Sequence, residues 1–255
     1  MSGLFVAFGK RWGELRVESG TTPLTLACYQ GDVDGMRSLL QQGAGVDQED
    51  DDGYTPLFVA SSKGHVDAAR LLLDAGAAVD KRREGDLSPF GIACACGHLD
   101  VVMLFLDQGA EVDRAEEDGW TPLFIACQNG RVDAARLLLD KGAEVDRATE
   151  DGSTPLYIAC ENGHVDVARL LLDNSADVNQ ANEDGWTPLL TACDEGHANV
   201  ARLLLEKGAE ADRARKNGAT PLGVACENGY GDVEELLRAN GARINEVGED
   251  SDCDY

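Results

Sequence analysis

Basic residues are scarce in this chain. Its 255 residues hold 22 Lys and Arg against 47 Asp and Glu, a formal charge of −25. Such a chain repels phosphate backbones and anionic membrane surfaces, which argues against nucleic acid and lipid headgroups as ligands. Long apolar runs are absent as well: none approaches the ~18 residues that a spanning helix needs. Leu4-Phe5-Val6-Ala7-Phe8 is too short for a signal-peptide core, and no basic region precedes it. Ser2 stands where N-myristoylation needs Gly. Lys81-Arg82-Arg83 is the longest basic run in the repeated part and a weak nuclear signal at best.

What is present is order. The phrase Thr22-Pro23-Leu24 returns at Thr55-Pro56-Leu57, Ser88-Pro89-Phe90, Thr121-Pro122-Leu123, Thr154-Pro155-Leu156, Thr187-Pro188-Leu189 and Thr220-Pro221-Leu222, every 33 residues without a slip. A fixed period of this length means stacked supersecondary units. Such a stack has no deep central pocket and offers one long surface instead.

Residues 117–149 show the unit most clearly. Asp118-Gly119 is a turn signal. Thr121 can cap a helix, and Pro122 suits its first position. Leu123, Ala126 and Cys127 follow at helical spacing, and Gly130 closes that short helix. A second helix runs through Val132, Ala135, Leu138 and Leu139 to a cap at Gly142. Ser175 replaces the closing glycine in one copy.

Six of the eight cysteines fall in one repeat column: Cys28, Cys94, Cys127, Cys160, Cys193 and Cys226, with Ser61 in the remaining place. Packed helices lie ~8–10 Å apart. A disulfide needs Cα atoms within ~7 Å, and zinc needs sulfurs at ~2.3 Å. The column therefore reads as buried free thiols in a reducing compartment, cytosolic or nuclear. Cys94/His98, Cys160/His164 and Cys193/His197 mimic a metal or thiolate pair, but Ser61 accompanies His65 and Cys127 accompanies Arg131, so the two columns vary independently. No catalytic, metal or cofactor site is expected.

The pattern resembles the ankyrin repeat family. The matching residues are the Thr-Pro-Leu-x-x-Ala openings, the pairs Gly64-His65, Gly97-His98, Gly163-His164 and Gly196-His197, the Leu-Leu runs and the Gly-Ala-x-Val-Asp/Asn closings, over residues 19–245. The resemblance implies an all-α solenoid of antiparallel helix pairs with projecting β-hairpin loops. It also implies protein–protein recognition through loop tips and the first-helix face. One departure is systematic: the usual His after Thr-Pro-Leu is replaced by Thr25, Phe58, Gly91, Phe124, Tyr157, Leu190 and Gly223. Residues 1–18 are expected to form a helical cap through Leu4, Phe5, Phe8, Trp12 and Leu15, and residues 246–255 an acidic disordered tail.

The column after the turn glycine holds Tyr54, Leu87, Trp120 and Trp186 beside Thr21, Ser153 and Ala219, a mixture unlike a fixed core slot. In the family this position lies on the binding side, and exposed aromatics are enriched at interface hot spots. The variable ends of the first helices supply Lys63, Gln128, Asn129, Glu161, Asn162, Asp194, Glu195 and Glu227. The expected site is a concave face with aromatic anchors at Tyr54, Trp120 and Trp186 and an acidic floor selecting Lys or Arg. Along the loop tips, Lys81, Arg114, Arg147 and Arg213 form a basic column beside acidic pairs, where partial self-neutralisation is expected. Asp67/Arg70, Asp133/Arg136 and Asp166/Arg169 are spaced as i,i+3 pairs.

The leading expectation is a monomeric, non-enzymatic scaffold, adaptor or inhibitor whose partner is a protein of basic or mixed charge. The alternatives are a redox or enzymatic protein using surface cysteines, Cys96 and Cys253 among them, and a structural spacer without a ligand.

Overall fold

The computed structural model describes residues 20–82, 85–116 and 119–243. The expected cap over residues 1–18 and the tail over 246–255 lie outside them, as do Glu117 and Asp118. The chain divides into two compact units, Met1–Ala143 and Glu144–Tyr255. The described residues contain fourteen helices, in pairs, and no strand.

The first unit holds α1 (Pro23–Gln30), α2 (Val33–Gln41), α3 (Pro56–Lys63), α4 (Val66–Asp74), α5 (Pro89–Cys96), α6 (Leu99–Asp107), α7 (Pro122–Gln128) and α8 (Val132–Asp140). The odd-numbered helices pack side by side, and each carries its even-numbered partner. The second unit repeats this with α9 (Pro155–Glu161), α11 (Pro188–Asp194) and α13 (Pro221–Asn228), partnered by α10 (Val165–Asp173), α12 (Ala198–Glu206) and α14 (Gly231–Ala239).

Each odd helix starts as its sequence dictates. Proline takes the first turn, where a missing N–H costs nothing. The preceding Thr or Ser oxygen accepts from the backbone N–H three residues on, at 3.2 Å for Thr55 to Phe58 and 3.1 Å for Thr154 to Tyr157. These two features satisfy donors that would otherwise be orphaned at a buried helix end.

The glycine between paired helices answers two demands. Gly64 sits at φ 73°, a left-handed conformation. A Cβ there would also lie 2.5 Å from His98 Nδ1 of the following pair. That ring donates through Nε2 to the Ser62 carbonyl at 2.9 Å. His65 reaches Tyr29 O at 3.2 Å and His197 reaches Glu161 O at 3.0 Å. Arg131 does the same work as these histidines, its Nε donating to Ala95 O at 2.8 Å. A second set of bonds joins the loops: Asp47 accepts from Ala78 N at 3.0 Å, Asp146 from Asp177 N at 3.1 Å, and Asn179 from Glu210 N at 3.0 Å. Asn179 thus fills the structural role of the aspartates in its column.

The projecting loops carry a hairpin tip without a ladder among the described residues. A backbone bond spans each: Asp50 N to Tyr54 O at 3.0 Å and Glu116 N to Trp120 O at 2.9 Å in the first unit, Asn182 N to Trp186 O at 3.0 Å in the second.

Cys28, Cys94, Cys127, Cys160 and Cys193 are buried, Cys226 is half-buried, and all are free thiols. Burial pushes the Cys28 and Cys193 thiols up to about 12 and raises those of Cys94 and Cys127 as well. Ser61, in the same column, is fully buried, and its hydroxyl has no hydrogen-bond partner among the described residues.

Candidate binding surface

In the first unit the loop aromatics lie against the helices they precede. Tyr54 is half-buried and stacks on Phe58, with centroids 5.0 Å apart and planes 13° apart. Trp120 is half-buried and tilts by 31° against Phe124 at 5.8 Å. Phe58 and Phe124 are buried. Each loop ring therefore covers an aromatic four residues on. Lys63 Nζ sits 4.4 Å over the Tyr29 ring, a cation–π contact. Gln128 and Asn129 are half-buried, and Asn129 Nδ2 donates to Ile125 O at 2.8 Å.

Leu87 departs from the expectation. It is 7% exposed and packs toward Gly91, where the missing side chain leaves it room. Ser153 in the same column is 4% exposed. The column is thus mixed: Leu87 and Ser153 are buried, whereas Thr21, Tyr54, Trp120, Trp186 and Ala219 are half-buried.

In the second unit, Trp186 is half-buried with the Arg215 guanidinium 4.5 Å over its ring. Four carboxylates gather at corresponding ends of α9, α11 and α13. Glu161 and Asp194 are the last residues of α9 and α11, Glu195 follows α11, and Glu227 is in the last turn of α13. Asn162 is exposed beside them, its Nδ2 donating to Ile158 O at 2.9 Å. Asn228 Nδ2 donates to Asp194 Oδ1 at 3.0 Å. Tyr157 Oη donates to Glu161 Oε1 at 3.3 Å. Burial lifts Glu161 above the usual carboxylate range, helped by the charges of Glu195 and Asp151 and opposed by the Tyr157 hydrogen bond. Burial, then the neighbouring Glu161 charge, raises the Tyr157 phenol.

The loop tips behave differently. Lys81 pairs with Glu49 at 3.0 Å, Arg114 with Asp80 at 2.8 Å, Arg147 with Glu144 at 3.9 Å and Arg213 with Glu210 at 4.0 Å. The basic column is therefore neutralised locally. No Lys or Arg forms an ion pair with Glu161, Asp194, Glu195 or Glu227 among the described residues. The same holds for the three i,i+3 Asp/Arg spacings on the second helices.

Two contributors were not singled out by the sequence reading. Tyr157 stands four residues before Glu161, a helical spacing that signals contact. Arg215 is 29 residues from Trp186 in sequence and carries no local signal.

A family model described as Ankyrin repeats (3 copies) matches residues 4–84, 90–182 and 176–247. The crystal structure of the human ASB11 ankyrin repeat domain is similar to this chain, with a TM-score of 0.77 and 29% identity over 86% of this chain and 97% of that one. No curated protein matched. The chain belongs to the ankyrin repeat family, whose repeats are protein–protein interaction modules.

Proposed function

We propose that the chain is a non-enzymatic scaffold, adaptor or inhibitor of seven repeats over 19–245, acting inside the cell on a partner protein with a Lys- or Arg-bearing surface. One observation carries this reading: among the described residues the carboxylate row of Glu161, Asp194, Glu195 and Glu227 has no ion-pair partner, whereas the loop-tip cations do. The row is costly to the free protein. Anions at helix C-termini oppose the helix dipole by roughly 0.3–1 kcal/mol each, neighbouring carboxylates repel, and Glu161 is partly desolvated. A partner's cations would relieve all three costs at once. Trp186 in the second unit, and Tyr54 and Trp120 in the first, supply aromatic faces for contact.

The redox alternative is disfavoured by the thiols themselves. Burial also raises Cys96, although the nearby Arg131 and Lys63 charges oppose it, and a reactive cysteine needs a lowered value. The seven cysteines among the described residues are all free thiols, which supports a reducing, cytosolic or nuclear setting.

The test is capture from native lysate by the intact chain at two salt concentrations. It is compared with Trp120→Ala/Trp186→Ala and with Glu161→Gln/Asp194→Asn/Glu195→Gln/Glu227→Gln. The expected result is a basic partner lost with both variants and weakened by salt. Partner sets identical across the three proteins overturn the reading, and an intact chain that captures nothing favours the spacer.

A further inference from the structure

The pair α5–α6 departs from the other copies at several positions. Phe90 and Phe105 occupy columns that are leucine elsewhere, as at Leu57 and Leu72. Gly91 stands where adjacent copies have Phe58 and Phe124, and Arg82 where later copies have alanine, as at Ala115. A single clasp joins the last two of these changes. Glu116 reaches back from the following loop to the start of α5. Its carboxylate accepts from the Ser88 N–H at 3.2 Å and from the Ser88 hydroxyl. Arg82 completes the clasp at 2.9 Å. A Cβ on residue 91 would lie 2.6 Å from Glu116 Oε1, so the clasp requires glycine there.

Beside the clasp lies a cavity of about 190 Å³. Phe90 and Phe105, 5.6 Å apart and tilted by 48°, line it, with Val79, Ala110, Glu111 and Ala115 among its other walls. Val79 is 41% exposed. Small-molecule sites usually run to roughly 300–1,000 Å³, whereas an apolar cavity of about 150 Å³ holds a benzene ring. The space therefore suits one large side chain. The lining counts three acids (Asp80, Glu111, Glu116) against two arginines (Arg82, Arg114). Glu116 holds Arg82 and Asp80 holds Arg114 at 2.8 Å. Glu111 is exposed and has no ion-pair partner among the described residues.

We infer that this cavity receives a leucine-sized apolar side chain of a partner polypeptide, with an adjacent Lys or Arg pairing with Glu111. The inference shares with the proposed function only the class of ligand, a basic polypeptide. It uses residues of the first unit alone, separate from the carboxylate row.

The test is a titration of the isotope-labelled full chain, followed by amide and indole NMR shifts. The probes are three end-capped tripeptides: Lys-Leu-Lys, Lys-Ala-Lys and Glu-Leu-Glu. Lys-Leu-Lys should shift residues 108–116, and Lys-Ala-Lys should bind about tenfold more weakly for want of the apolar anchor. Glu-Leu-Glu should be weaker than Lys-Leu-Lys, and Glu111→Lys should reverse that order. Ala115→Trp, which sets a bulky ring on the exposed rim, should abolish the shifts; if it fails to fold, Glu111→Lys carries the test alone. Shifts confined to the Trp120 and Trp186 indoles would overturn the cavity site and leave the proposed function standing. Equal binding of all three peptides, or no shift at millimolar concentration, overturns it too.

Discussion

Ser61 and Ser62 are adjacent and both buried, yet the same substitution should act on them in opposite directions. Ser61 is fully buried in a column otherwise held by cysteine, and its hydroxyl has no partner. Ser62 is 6% exposed, and its Oγ donates to Val59 O at 2.9 Å. An unsatisfied buried hydroxyl costs about 1–3 kcal/mol, whereas a made hydrogen bond contributes about 1 kcal/mol. Ser61→Ala removes the unpaired group and leaves a void of one atom, so a gain near 1 kcal/mol is expected. Ser61→Cys restores the thiol found in neighbouring copies and fills that void, so it should gain slightly more. Ser62→Ala should lose about 1 kcal/mol. At about 2–4 °C per kcal/mol for a chain of this size, thermal unfolding separates the signs, and urea midpoints at constant slope check them. If Ser61→Ala and Ser61→Cys both destabilise, the hydroxyl is hydrogen-bonded in solution and the reasoning fails.

Outcomes at four other residues follow from their geometry. Glu161 binds its proton more tightly when folded than the ordinary value of 4.5 allows. Its penalty on folding is therefore full above the raised value and fades as pH falls toward 4.5. Affinity for a cationic partner should weaken across that same window. Glu161→Gln should flatten both profiles and weaken binding about tenfold, or 1.4 kcal/mol, as read by calorimetry against pH. Ser175 holds φ 68°, so Ser175→Gly should stabilise by roughly 0.5 kcal/mol, the relief of left-handed strain offset in part by added freedom in the unfolded chain. His98→Ala removes the bond to Ser62 O and should cost about 1–3 kcal/mol in chemical denaturation. Arg131→Ala should cost a similar amount, and Arg131→His should restore most of it.

The helices were legible because their causes are local. Thr or Ser, then Pro, then apolar residues at helical spacing place a cap, a first turn and a buried face within six positions. The independence of the Cys and His columns was legible too, and the histidines bond backbone carbonyls rather than thiols. Leu87 misled because a column mixing Tyr, Trp, Ser and Leu reads as surface, whereas Gly91 opens a pocket that draws Leu87 inward. The Glu116 clasp was hidden for a different reason. Glu116 and Ser88 lie 28 residues apart, and the unrelated-looking changes at Arg82 and Gly91 join it in one interaction only in three dimensions. The carboxylate row was visible as composition, but its lack of ion pairs among the described residues showed only in three dimensions.

The side-chain bonds from His and Arg to the preceding pair each span 36 residues. Those between successive loops span 31. Both lie close to the 33-residue period, so each of these contacts links a copy only to its immediate neighbour. Deleting or duplicating a whole internal copy would present each donor with an equivalent acceptor at the same distance along the chain. Chain length is therefore an adjustable quantity in this design, changeable in units of one period while the rules that join neighbours stay the same.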